Sequence, residues 1–424
     1  MVYSNITYVK RDALKSMRSM QGVHLSPHPG WPSWMPRMAY AAKDQAPTGD
    51  VLVCIFLRGG ADGLNIVVPH GDNEYYTARP KIAIARPDQK SVASRVLDLD
   101  GFFGLHPTLA PLLPFFQAHQ MVAVHATGSP DPTRSHFEAM DYMERGIPGN
   151  NTLNTGWIGR HLASQEAGSQ AVLRAVGWGD SLQSSLRGSI NALALRSISS
   201  YHLQGREDNT GNLQQAINSL YAIDSTALHS FAEQTQSIID LVSKINIASY
   251  KPSKDVKYNP NSDFEMALMQ TAALIKANVG LEVSAIDLGG WDTHQNQLID
   301  QASALLDLGQ GLANFATDLD DTLKKVTVVV MSEFGRRVTE NASAGTDHGH
   351  GNMMLVMGGH MTNKPVVATW PGLSQDKLSD GDLSITTDYR DVLSEILSKR
   401  LHNSKIDAVF PNFTPQDHGI TMGD

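Results

Sequence analysis

Five apolar runs, each stopped by glycine or by a charged loop, constrain this chain more than any other feature. Val51–Leu57 (VLVCIFL) runs into Arg58-Gly59-Gly60-Ala61-Asp62-Gly63, and Met121–Ala126 repeats the pattern. Leu281–Leu288 stands before Gly289-Gly290-Trp291-Asp292-Thr293-His294, Val326–Met331 before Ser332-Glu333-Phe334-Gly335-Arg336, and Met353–Met357 before Gly358-Gly359. Continuous β-branched runs of this length read as strands buried on both faces. Helix-period segments at His136–Arg145, Phe264–Asn278 and Leu298–Lys325 lie between them. The alternation predicts an α/β fold with a mostly parallel central sheet sandwiched by helices.

The polar residues fall at one place in that pattern. Asp62, Ser135, the pair Asp292 and His294, and Glu333 each follow a predicted strand. In open α/β sheets the edge where parallel strands end is where ligands bind. A length of 424 residues exceeds what one compact core usually holds, so insertions are expected in the α/β domain spanning 51–424. The stretch at about 163–260 is rich in Ser, Gln and Asn, lacks a strong strand series, and is predicted to be an inserted, mainly helical region.

Residues 1–50 have a different character. Lys10-Arg11 resembles a twin-arginine signal with its first Arg replaced, and Ala39-Tyr40-Ala41 resembles a small-residue cleavage site. Prolines and scattered His and Arg occupy the intervening stretch, where a leader carries an apolar segment, so a degenerate leader or an extended segment is expected. A working leader would place the protein in the periplasm or outside the cell, and a decayed one in the cytoplasm. The net charge of -9, with no compensating Lys/Arg cluster, argues against a general nucleic-acid partner. No apolar run is long enough to span a membrane. The single cysteine, Cys54, lies inside an apolar run and reads as a buried, inert thiol.

Several motifs could carry chemistry. Asp292 and His294, two residues apart in extended backbone, point to one side and can share a metal ion; the alternative is a turn capping the next helix. Asp347, His348 and His350 form a second Asp/His group on glycine-flanked backbone; the alternative, an exposed His-Gly loop, is less attractive in a chain that already holds one such group, because metal sites need three or four convergent ligands. Glu333 could be a further carboxylate ligand, with Arg336 or Arg337 neutralising an anionic substrate, or it could pair with one of those arginines. Ser135 and Glu138 match the S-x-x-E capping box, while Ser135, at a helix start beside Arg134, is also a candidate nucleophile. His136 is the neighbouring candidate base or ligand, and Asp62 sits in a glycine turn at the first strand's end. His106 and the Thr387–Arg390 segment read as structural.

Taken in order, LRGGADGLN, GLHPTLAPLLPFF, GSPDPTRSHFEAMDYME, GGWDTHQNQ, SEFGRR and GTDHGHGN closely resemble a large bacterial family, a domain of unknown function whose members are often exported. That family is grouped with the alkaline phosphatase and sulfatase-like superfamily. The resemblance implies an alkaline phosphatase-like fold and a metal-dependent hydrolase of phosphate or sulfate esters, acting on a small anionic ester. It further implies that Asp62, Asp292, His294, Glu333 and one histidine of the Asp347-His348-Gly349-His350 stretch hold metal, with Ser135 as nucleophile. Glu333-Phe334 stands where alkaline phosphatases carry an Asp-His pair, so one imidazole is lost, and zinc becomes a less certain ion than calcium, magnesium or manganese. The alternative reading is a catalytically inactive relative that binds an anionic ligand or a surface partner.

Overall fold

A computed structural model describes residues 37–38, 49–150, 152–165, 173–188, 191–200, 237–239, 241, 245 and 247–423. The central strands are β1 (Val51–Leu57), β2 (Met121–Gly128), β3 (Ala175–Trp178), β4 (Asn191–Leu195), β5 (Val283–Leu288), β6 (Val326–Ser332) and β7 (Asn352–Gly358). They belong to one ten-stranded sheet in the order β4-β3-β5-β1-β6-β7-β2, completed by three two-residue strands at its margins. β4, β3, β5, β1 and β6 run parallel, and β7 is antiparallel to both β6 and β2.

The runs of unbroken hydrophobicity become strands buried on both faces. In β1, Val51, Val53, Ile55 and Leu57 enter one core, while Leu52, Cys54 and Phe56 enter the other. Each fully buried large aliphatic side chain contributes roughly 1.5–3 kcal/mol. Helix α1 (His136–Arg145) and helix α4 (Tyr389–Lys399) pack on the second face through Met143, Tyr389, Val392 and Ile396. Helices α2 (Asp263–Lys276) and α3 (Ala302–Leu319) cover the first, through Phe264, Leu268, Leu308 and Leu312. The α/β architecture expected from the alternation is thus present. No helix among the described residues is long and apolar enough to cross a membrane.

Two features go beyond the expected pattern. The region at 163–260 contributes β3 and β4 to the main sheet; both strands are short, which hid them from a reading based on long apolar runs. Residues 201–236, in the rest of that region, lie outside the described residues, as do the leader-like features at 10–15 and 39–41. β7 is the second case. Because it runs against its neighbours, the loop that precedes it, not the glycine pair that follows, shares the edge where β1, β5 and β6 end.

Candidate metal centre and active site

Strand register builds the site. Leu57 at the end of β1 pairs with Leu288 on one side and Ser332 on the other, so the three following loops start at one level. Glycine lets them meet. Gly59 has φ 120°, and a Cβ there would lie 2.6 Å from the Asp292 backbone nitrogen. A Cβ on Gly345 would lie 2.3 Å from the His294 carbonyl carbon, so the loop before β7 closes on the Asp292 loop by the same means.

At the meeting point, His294 Nε2 and His348 Nε2 are 2.9 Å apart. Asp292 Oδ1 lies 3.0 Å from the first and 3.2 Å from the second. The His136 ring approaches from the start of α1, with Nε2 3.5 Å from Asp292 Oδ2, and donor atoms of His136, Asp292 and His348 lie within 4.8 Å of one another. The far side of each ring is held by an oxygen. His136 Nδ1 donates to Glu333 Oε1 at 2.8 Å, His294 Nδ1 to Asp347 Oδ1 at 3.1 Å, and His348 Nδ1 to the Arg134 carbonyl at 2.9 Å. With each Nδ1 carrying its hydrogen, Nε2 of the neutral ring presents a lone pair. Lone pairs converging this closely repel unless a proton or a metal cation lies between them, and an Nδ1–H held by oxygen is the usual support of a metal-binding imidazole. His136 Nε2 is buried with no hydrogen-bond partner among the described residues.

The local electrostatics suit a cation. Burial raises the Asp292 carboxyl, but the Arg336 guanidinium and His348 outweigh it and hold the group down to about 2. Burial likewise opposes ionisation of Glu333, yet His136 and the backbone amides of Gly59 and Gly60 bring it below its usual range. The hydrogen bond to Glu333 raises His136, and burial lowers His348. Phe334, 2% exposed, sets its ring 4.9 Å from His136 and 5.0 Å from His348, so it walls the two imidazoles where an extra ligand was thought lost.

The other candidates fall outside this cluster. Both Asp62 oxygens are taken by Arg79, at 2.6 and 3.0 Å, and Gln297 adds a third donor at 2.5 Å. His350 Nε2 faces the carbonyls of Ser129 and Asp131 at 2.8 and 3.1 Å. Glu333 and Asp347 stand behind His136 and His294 as orienting acceptors. Arg336, 1% exposed, donates to the carbonyls of Gly59, Gly60, Trp291 and Thr346 and to Asp292 Oδ1, which ties the loops together and leaves it no reach for substrate. Arg134 turns its guanidinium to Asp380 and Asp382. Ser135 is the N-cap residue of α1, but its hydroxyl makes no capping bond. The expected capping box does not form, because Glu138 accepts instead from the Thr133 hydroxyl, at 2.7 Å.

Arg79, Gln297, Asn341, Asp380 and Asp382 were not anticipated as partners of the site. Each reaches the site across 17 residues or more, Asn341 by donating to the His294 carbonyl at 2.8 Å, and no local spacing marks them.

The family model described as "Protein of unknown function (DUF1501)" matches residues 50–399. The chain belongs to that family. The DUF1501 match covers every residue of the cluster, and no curated protein matches the chain. Among solved structures, this DUF1501 chain is similar to a protein in the alkaline phosphatase superfamily from Vibrio parahaemolyticus, at 9% identity over 92% of this chain and 74% of that one, with a TM-score of 0.37. It is also similar to the C-terminal periplasmic domain of EcEptC from Escherichia coli in complex with Zn, at 9% identity over 90% and 92% of the two chains, TM-score 0.38. A third is the lipoteichoic acid synthase LtaP from Listeria monocytogenes, at 8% identity over 88% and 79%, TM-score 0.32.

Proposed function

We propose that the protein is a metal-dependent hydrolase of phosphate or sulfate esters, with one ion held by His136, His294, His348 and Asp292. The observation that carries this reading is the approach of His294 Nε2, His348 Nε2 and Asp292 Oδ1 to within 2.9–3.2 Å of one another, with each imidazole braced from behind. Three imidazoles and a carboxylate are a donor set for zinc or another first-row transition metal, whereas calcium and magnesium favour all-oxygen shells. Such an ion would supply Lewis-acid stabilisation of negative charge on the transferring group.

The chain's own residues do the rest. The Ser135 hydroxyl, exposed and free of capping duty, attacks phosphorus or sulfur as the alcohol leaves. The amides that open α1, and the positive end of its dipole, favour the anionic group at that position. Water then cleaves the seryl ester and frees the serine.

Elemental analysis of the purified protein, together with a screen of phosphate monoesters, phosphodiesters and sulfate esters, tests this. The expected result is about one transition-metal ion per chain and turnover of one ester class that vanishes in Ser135→Ala. A protein that takes up no divalent metal and cleaves no ester would overturn the proposal in favour of an inactive anion-binding relative.

A further inference from the structure

Arg336 is fully engaged with the loops, so an anionic substrate needs another cationic partner. Two arginines whose backbones brace the cluster turn their guanidinium groups to one acidic turn. Arg134 Nη2 donates to Asp382 Oδ2 at 2.6 Å and to Asp380 Oδ2 at 2.9 Å. Arg337 donates to the Asp380 carbonyl, and its Nε and Nη2 lie 3.6 and 3.9 Å from Asp382 Oδ1 and Asp380 Oδ2. The backbones of both arginines belong to the site. The Arg134 carbonyl accepts from His348 Nδ1, the Arg337 amide donates to the Asp347 carbonyl, and Arg134 directly precedes Ser135.

The two carboxylates differ sharply. The Asp382 side chain is 1% exposed, a fixed counter-charge between both arginines, while that of Asp380 is 79% exposed. An ion pair so open to water is weak and readily exchanged. Arg134 Nε is buried and without a hydrogen-bond partner among the described residues, so this guanidinium has donor capacity left over. Arginine forks match tetrahedral oxyanions in two-point contact.

We propose that Arg134 and Arg337 form the anion-recognition subsite of this centre, with Asp380 as an exchangeable internal counter-ion that a phosphate or sulfate group displaces while Asp382 stays. The inference rests on the ester-hydrolase reading for its substrate, but the side-chain contacts of Arg134 and Arg337 go to Asp380 and Asp382 rather than to the metal ligands. Removing the Asp380 charge then tightens anion binding, whereas a purely structural role for Asp380 predicts no change or a loss.

The test is calorimetric titration of the full-length protein, as purified, with inorganic phosphate and with inorganic sulfate. Asp380→Asn is the informative variant, because asparagine keeps the shape and tolerates the φ of 52° at this position. The expected result is several-fold tighter phosphate or sulfate binding in Asp380→Asn and much weaker binding in Arg134→Gln and Arg337→Gln. The Asp380→Asn gain persists when His294→Ala removes a metal ligand. Binding unchanged or weakened in Asp380→Asn, or undiminished in Arg134→Gln, overturns the subsite. Ester hydrolysis without that gain sinks the subsite alone, and the gain without any hydrolysis sinks the hydrolase reading alone.

Discussion

Asp62 is held by both terminal nitrogens of Arg79, at 2.6 and 3.0 Å, in a pair whose side chains are 1% and 0% exposed. The same arginine reaches Asn65 Oδ1 and the carbonyls of Arg337 and Val338, so it joins the turn after β1 to the segment after β6. An acidic residue in the position of a ligand is thus matched by a built-in cation. Arg79→Leu leaves Asp62 buried and uncompensated and is expected to cost about 3–5 kcal/mol. Chemical denaturation measures it. Arg79→Leu combined with Asp62→Leu recovers part of the loss, and a double variant as unstable as the sum of the two singles would refute the coupling.

The two histidines of the Asp347–Gly351 loop are expected to separate cleanly. His348→Ala abolishes stoichiometric metal, whereas His350→Ala, which loses only contacts to the Ser129 and Asp131 carbonyls, retains it. Asp347→Ala and Glu333→Gln weaken affinity by about 10- to 100-fold, as removal of orienting partners usually does. Metal content by mass spectrometry of dialysed protein decides the matter, and equal retention in both histidine variants would remove His348 from the site.

Ser135→Ala tests chemistry apart from folding. Its hydroxyl makes no capping bond, so the change is expected to move stability by less than about 0.5 kcal/mol while turnover is lost. Thr133→Val removes the hydroxyl that accepts from the Ser135 amide and donates to Glu138, and costs about 1 kcal/mol. Thermal melts that show the reverse order would return the capping role to Ser135.

Acid is expected to destabilise the fold through histidines buried in neutral form. Burial pushes His125 and His106 down to about 4 and His161 down to about 3, from an ordinary 6.5. His125 accepts from the Ala126 amide and donates to the Val67 carbonyl, and His161 Nδ1 accepts from Asn403, which fixes both as neutral tautomers. Their folded values lie below the unfolded one, so the unfolded chain binds more protons as pH drops. The stability they contribute is complete above about pH 6.5 and lost as pH falls toward 4, on the order of 3 kcal/mol for His125 alone. A Tm constant or rising through that window would contradict these tautomers.

How much was legible beforehand depends on the range of the physics involved. The residues of β1 and α1 were readable to their ends, because burial on two faces and the 3.6-residue period are written locally. The motif loops at strand ends were equally clear, as were Asp292, His294 and His348 as candidates. Sequence alone thus determined a mostly parallel α/β sheet with an acidic, histidine-bearing edge. Only the tertiary structure decided which side chains meet there. The antiparallel course of β7 brings His348 to the cluster, and the Ser129 and Asp131 carbonyls keep His350 from it. Arg79, 17 residues from Asp62 in sequence, withdraws that carboxylate, and Arg336 is spent on carbonyls from three other loop segments. Spacing along a chain can mark a side chain as able to bind, but its partners are set by strand order and direction, which no local pattern encodes.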